Sequence, residues 1–154
     1  MGRTALHLAA FRGDLKKLQK LIEYGADMDV QDTRLDTPLH CCIRILPEAF
    51  KADRICKTLL KRKANVHLRN KSEQIALHQA CIVGDLRFID PLLQAGSDVY
   101  ALDIHGKLPL QYCKKQKEAV YIFSCHERLG WKSSRHTLMW SHILAREFVS
   151  HVFK

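Results

Sequence analysis

The tetrapeptide Thr4-Ala5-Leu6-His7 returns as Thr37-Pro38-Leu39-His40 and Ile75-Ala76-Leu77-His78, and more weakly as Leu108-Pro109-Leu110-Gln111. The offsets are 33, 38 and 33 residues. Self-similarity at this period constrains the chain more than any composition does. It means one small supersecondary unit stacked on copies of itself, because a single unit cannot bury its own apolar face.

Each unit reads the same way. A turn carrying Thr-x-Leu-His leads into a short apolar helix rich in Ala or Cys, then a second helix with leucines at helical spacing, then a polar loop. The first unit shows it in Leu8-Ala9-Ala10-Phe11-Arg12-Gly13-Asp14-Leu15, followed by Leu18, Leu21, Ile22 and Gly25-Ala26-Asp27. The third repeats it with Ala80-Cys81, Gly84-Asp85-Leu86, Ile89, Leu92-Leu93 and Gly96-Ser97-Asp98. Thr and His can hydrogen-bond backbone groups around the turn and fix the start of the first helix. Small residues such as Ala9, Ala10, Ala80 and Cys81 let paired helices approach closely. Gly13 and Gly84 stand where a first helix must end and the chain reverse, positions that favour positive φ.

These residues resemble the ankyrin repeat, whose period is about 33 residues with a Thr-Pro-Leu-His-x-Ala signature. The likeness is good over residues 2–107 and loose over 108–127. It implies an all-α solenoid of helix–turn–helix units joined by β-hairpin loops, with an extended concave surface. The units fall at about 2–34, 35–72, 73–105 and a degenerate 106–129, making an array over 1–129. Residues 130–154 follow as a C-terminal amphipathic helix, with Trp140, Ile143, Leu144, Phe148 and Val152 on one face. A terminal unit needs its apolar flank shielded, so this helix is expected to cap the array.

Several positions depart from the pattern. The second unit carries five extra residues within 44–53, read as a longer surface loop from which Phe50 projects. Lys63 stands where other units have Gly25 and Gly96, and Leu35 and Glu73 stand where the fourth has Gly106. Such substitutions are expected to weaken the middle of the array. In the fourth unit Lys114-Lys115-Gln116-Lys117-Glu118 replaces the usual run. A second helix is still expected from Glu118 to Arg128, partly burying Val120, Tyr121, Ile122 and Cys125. The chain also opens within its first turn, leaving two readings: a first unit that tolerates exposure, or a piece of a longer array.

The resemblance implies a function of binding another protein, as an adaptor, scaffold or inhibitor, through hairpin tips and the exposed side of each first helix. Carried over by position, the tips are Thr33, Arg34 and Asp36, then Lys71, Ser72 and Gln74, then Ile104, His105 and Lys107. The helix positions are Phe11 and Arg12, and Ile82 and Val83. Phe11, Arg12 and Arg34 lead, since aromatic and Arg anchors dominate most interfaces.

An enzyme is not expected. The sequence holds no Gly-x-Ser-x-Gly and no phosphate-binding glycine loop. His7, His40 and His78 are each a whole unit apart, so they read as structural turn residues rather than as bases or metal ligands. No catalytic residue, cofactor or metal ligand is assigned. Cys41, Cys42, Cys56, Cys81, Cys113 and Cys125 fall in helical patterns without a Cys-x-x-Cys, which reads as small buried hydrophobes. No apolar stretch approaches the roughly 20 residues that cross a bilayer, and Met1-Gly2-Arg3-Thr4 runs straight into patterned sequence without a signal-peptide region. The expected location is therefore the cytoplasm, with the nucleus accessible.

The net charge of +9 favours an acidic partner surface. Residues 108–154 hold eight Lys/Arg against three Glu. This gives the alternative function, binding of nucleic acid or an anionic membrane through Lys114, Lys115, Lys117, Arg128, Lys132 and Arg135. Aromatic–basic interleaving and any known nucleic-acid motif are missing, which argues against it.

Overall fold

The computed structural model describes residues 2–44, 49–114 and 116–128. The chain divides into two compact units, residues 1–122 and 123–154. The expected capping helix at 130–154 lies outside the described residues, as do Lys115, Lys132 and Arg135.

The elements follow the repeat. In chain order they are α1 (Ala5–Arg12), α2 (Leu15–Glu23), α3 (Pro38–Ile43), α4 (Ala49–Lys61), α5 (Ala76–Val83), α6 (Leu86–Gln94), a 3₁₀ turn (Pro109–Tyr112) and α7 (Gln116–Arg128). Each first helix pairs with its second, and like stacks on like. Thus α1, α3, α5 and the 3₁₀ turn form one row, and α2, α4 and α6 form another. The core lies between the rows, where Ala10, Cys42, Ala80 and Cys81 leave room for Leu18, Ile55, Leu59, Phe88, Ile89 and Leu92. Burial pushes the Cys41 thiol up to about 11, so it packs as an apolar group. Among the described residues there is no strand, and no helix is long and apolar enough to cross a membrane. The expected hairpin loops are present as turns, each closed by two backbone bonds: Asp32 N–H to Asp36 O, Asn70 N–H to Gln74 O and Asp103 N–H to Lys107 O, all 3.0 Å, with Leu35, Glu73 and Gly106 N–H bonding back to Asp32, Asn70 and Asp103 O at 2.8–2.9 Å.

The turn histidines hold one unit to the next. The backbone N–H groups of Thr4, Thr37 and Ile75 donate to Nδ1 of His7, His40 and His78 at 3.2–3.3 Å. On the far side of each ring, Nε2 meets the carbonyl oxygen of Asp36, Gln74 or Lys107 at 2.9, 3.0 and 3.2 Å. A backbone N–H can only donate and a carbonyl can only accept. The ring is therefore neutral with its proton on Nε2. All three rings are buried, and each ties the start of a first helix to the entry of the next. In the fourth unit Gln111 takes the local half of this task, its Oε1 accepting from Leu108 N–H at 2.9 Å.

One expectation is corrected here. Phe50 does not project from a loop: it lies in the first turn of α4 and is 68% exposed. The insertion lengthens that helix to 13 residues against 9 in α2 and α6. The reason is helical spacing, because Ala52, Ile55, Cys56 and Leu59 sit at i, i+3, i+4 and i+7 and are all fully buried. In α7 the partial burial is as expected: Ile122 is buried, Tyr121 hydrogen-bonds Asp90 and Val120 is 48% exposed.

The expected weak points are located by backbone geometry. Leu35, Lys63 and Glu73 have φ of 57°, 65° and 57°, in register with glycines of other units at positive φ, such as Gly106 at 67° and Gly96 at 84°. A side chain in this left-handed region costs roughly 1–2 kcal/mol, against which a glycine gives back part through its freer unfolded chain. We expect Leu35→Gly, Lys63→Gly and Glu73→Gly each to raise unfolding free energy by about 1 kcal/mol, measured by urea denaturation.

Burial also holds the imidazoles of His40 and His78 below their usual pKa, although their carbonyl partners act the other way. With the folded value depressed, stability is complete above the unfolded pKa of about 6.5 and is lost as pH falls from there toward the folded value. Each histidine adds a slope of up to about 1.4 kcal/mol per pH unit in that window. Urea midpoints followed from pH 8 to 5 are expected to fall below pH 6.5. His78→Gln, which copies the fourth unit, should lower the stability at pH 8 and flatten the slope. An unchanged slope in that variant would contradict the clamp.

Candidate functional site

The face expected to bind is built by the hairpins at 32–36, 70–74 and 103–107 together with the C-terminal ends of α1 and α5 and Arg44 just after α3. Its framework is a second set of polar ties. Asp32, Asn70 and Asp103 each turn Oδ1 inward to accept the backbone N–H groups two and four residues on, at 2.7–3.1 Å. These bonds set the hairpin bend, as an Asx turn does. They also hold the Asp32 carboxyl below its usual range against the opposing effect of burial. Asp103 is held low in the same way, where burial is outweighed by the Tyr112 hydroxyl at 2.5 Å, the Gln74 amide at 3.1 Å and backbone N–H groups.

Successive hairpins are then joined side by side. Asn70 Nδ2 donates to Asp36 Oδ1 at 3.0 Å, and Gln74 Nε2 donates to Asp103 Oδ2 at 3.1 Å. Gln31 Nε2 reaches Arg69 O, and one unit later Arg69 Nη1 reaches Leu102 O. At the tips, Lys71 N–H donates to Arg34 O at 2.9 Å and Ile104 N–H to Ser72 O at 3.1 Å. The three tips therefore form one continuous ridge.

This geometry sorts the residues singled out from the sequence. Thr33, Arg34, Lys71, Ser72, Ile104, His105 and Lys107 are exposed along the ridge. Phe11 and Arg12 are exposed at the end of α1, while Ile82 and Val83 are half-buried at the end of α5. Asp36 and Gln74 are corrections. They are buried, and their side chains run along the array to Asn70 and Asp103 rather than outward. Asp36 and Gln74 are the closing residues of their turns, where Asp32 N–H and Asn70 N–H bond back to them, so position in a polar loop does not by itself imply exposure.

Charge on this face is uneven. The Asp36 carboxylate lies 3.6 Å from Arg34 Nε and 3.2 Å from Arg44 Nη1, so two guanidinium groups share one buried anion. Arg44 was not among the sequence candidates. Arg3 approaches Asp32 at 3.4 Å while its guanidinium lies 5.0 Å from the Phe11 ring centroid, fixing that ring on one side. Lys107 lies 5.5 Å from the Tyr112 ring. The sequence did offer a signal for the missed framework: Asp32, Asn70 and Asp103 recur at the same offsets of 38 and 33 as the turn motif.

Among the described residues no three His, Cys, Asp or Glu side chains are grouped as metal ligands would be. The arrangement presents a rigid, partly apolar, cationic ridge, and its polar groups are consumed in holding shape.

Comparison with known proteins agrees with this architecture. The ankyrin repeat family model matches residues 1–33 and 34–71. Inversin of Canis lupus familiaris is 31% identical over 127 residues, which is 80% of this chain and 11% of that protein. Human SH3 and multiple ankyrin repeat domains protein 2 is 31% identical over 112 residues, 73% of this chain and 6% of that protein. The chain thus spans only a small part of these two relatives. A fowlpox virus protein named for its ankyrin repeats, FPV223, is 32% identical over 114 residues, covering 74% of this chain and 76% of its own length. With the period, the turn histidines and the stacked helix pairs in place, the chain belongs to the ankyrin-repeat family.

Proposed function

We propose that this chain is a non-enzymatic binding module that docks a partner protein on the hairpin and first-helix face, acting in the cytoplasm or nucleus. Ankyrin repeats are in general protein-interaction modules, and the local chemistry supports that reading here. The observation that carries it is the exposure of large apolar side chains on a rigid frame. Ile104 is 61% exposed at a hairpin tip, and Phe11 is 42% exposed with its ring steadied by Arg3. A side chain already fixed loses little freedom on binding, so more of its buried area appears as affinity. Buried free thiols at Cys41, Cys42, Cys56 and Cys81 suit a reducing compartment. The basic C-terminal third is not proposed as the site, since its cations are not interleaved with aromatic residues as nucleic-acid surfaces are.

The test is affinity capture with the wild-type chain beside a Phe11→Ala/Arg34→Ala double variant, with circular dichroism as the check on folding. Proteins retained by the wild type are expected to be depleted at least about tenfold in the folded variant, as for loss of an interface anchor. Equal recovery by both would overturn this face as the docking surface.

A further inference from the structure

We infer that the occupant of this face is an extended, acidic protein segment that carries an apolar side chain. The inference rests on the docking face proposed above and adds the chemistry of what docks there. Its first ground is charge. The hairpins and first-helix ends carry Arg12, Arg34, Arg44, Arg69, Lys71 and Lys107, with Arg3 behind them. Against these seven cations stand four carboxylates: Asp32, Asp36 and Asp103, which are buried, and the exposed Glu73. Arg3 pairs with Asp32, Arg34 and Arg44 share Asp36, and Arg69 lies 3.7 Å from Glu73. Two arginines on one carboxylate leave a full positive charge at the base of the first hairpin. The excess therefore lies toward solvent, while three of the four anions, Asp32, Asp36 and Asp103, lie beneath.

The second ground is the form of the ridge. Backbone bonds from Lys71 to Arg34 and from Ile104 to Ser72 put three tips in contact, so the cations run in a line across units rather than as one cluster. A linear array of charge on a frame that is internally satisfied matches a chain lying across the repeats. A compact anion would reach the cations of one hairpin, such as Arg34 and Arg44 beside Asp36, and leave those of the other units unmet. The third ground separates protein from nucleic acid. Ile104, Phe11, Ile82 and Val83 interleave with the cations, which suits an apolar side chain of a peptide. This face lacks a run of exposed aromatic rings on which successive bases could stack: Phe11 is exposed, but Tyr112 is half-buried with its hydroxyl held by Asp103.

The experiment is fluorescence anisotropy of the full chain with three fluorescein-labelled probes. One is a twelve-residue Glu/Asp-rich peptide with a central Leu pair, the second the same peptide with Lys in place of the acids, and the third a dT oligonucleotide of equal charge. The acidic peptide is expected to bind at least about tenfold more tightly than the other two and to weaken as salt is raised, since exposed charge pairs are screened. Arg34→Glu/Lys71→Glu should lower its affinity by about tenfold or more, whereas Lys20→Glu on the exposed side of α2 should not. Tighter binding of the oligonucleotide would overturn the inference in favour of nucleic acid. Equal binding of both peptides, lost in Phe11→Ala, would overturn the acidic assignment and leave the docking face standing. Binding of the acidic peptide unchanged in Arg34→Glu/Lys71→Glu would overturn its placement on this ridge.

Discussion

A buried imidazole with a donor on one side and an acceptor on the other sets the geometry of every junction in this array. His7, His40 and His78 each accept from the backbone at the start of their own first helix and donate to a carbonyl at the start of the next. The distance between those two backbone groups is thereby fixed to the width of one ring. Stacking, register and the direction of the hairpins follow. A net hydrogen bond contributes only about 1 kcal/mol. Leaving either partner buried and unpaired costs more, so the clamp acts chiefly by excluding other arrangements.

The hairpins repeat that logic with different atoms. Asp32, Asn70 and Asp103 bend them, and Asp36, Gln74, Gln31 and Arg69 fasten each to its neighbour. Stability in such an array is nearly a sum of unit and junction contributions. The strain is then paid locally, at Leu35, Lys63 and Glu73, where a side chain occupies backbone that other units give to glycine. Two of these, Leu35 and Glu73, lie in the hairpins that form the ridge. The same carbonyls that these strained residues present, Leu35 O and Glu73 O, receive Gln31 and Arg69, so the strained backbone is also what the ties between hairpins require.

Much of this was legible in the sequence because it is periodic. Recurrence of Thr-x-Leu-His located the first helices, and the leucine spacing located α2 and α6. The absence of glycine at 35, 63 and 73 marked the positive-φ positions without coordinates. What periodicity does not carry is the direction of a side chain in a loop. Asp36 and Gln74 sit beside exposed residues in polar loops, yet their side chains point along the array. The extra residues around Phe50 interrupt the unit and so resemble a loop, although Ala52, Ile55, Cys56 and Leu59 hold the helical spacing that places it on α4. The role of Arg44 carries no periodic signal, because it depends on the burial of Asp36.

The division of labour follows from these bonds. Buried polar groups hold the shape, and exposed cations and apolar residues are left for recognition. The central claim is that the turn histidines are neutral clamps of one tautomer, and NMR of the imidazole nitrogens at pH 7.5 tests it most directly. The account predicts for His7, His40 and His78 a protonated Nε2 whose hydrogen exchanges slowly with solvent, and an unprotonated, hydrogen-bonded Nδ1. A protonated Nδ1, or a mixture of tautomers exchanging freely with water, would contradict it.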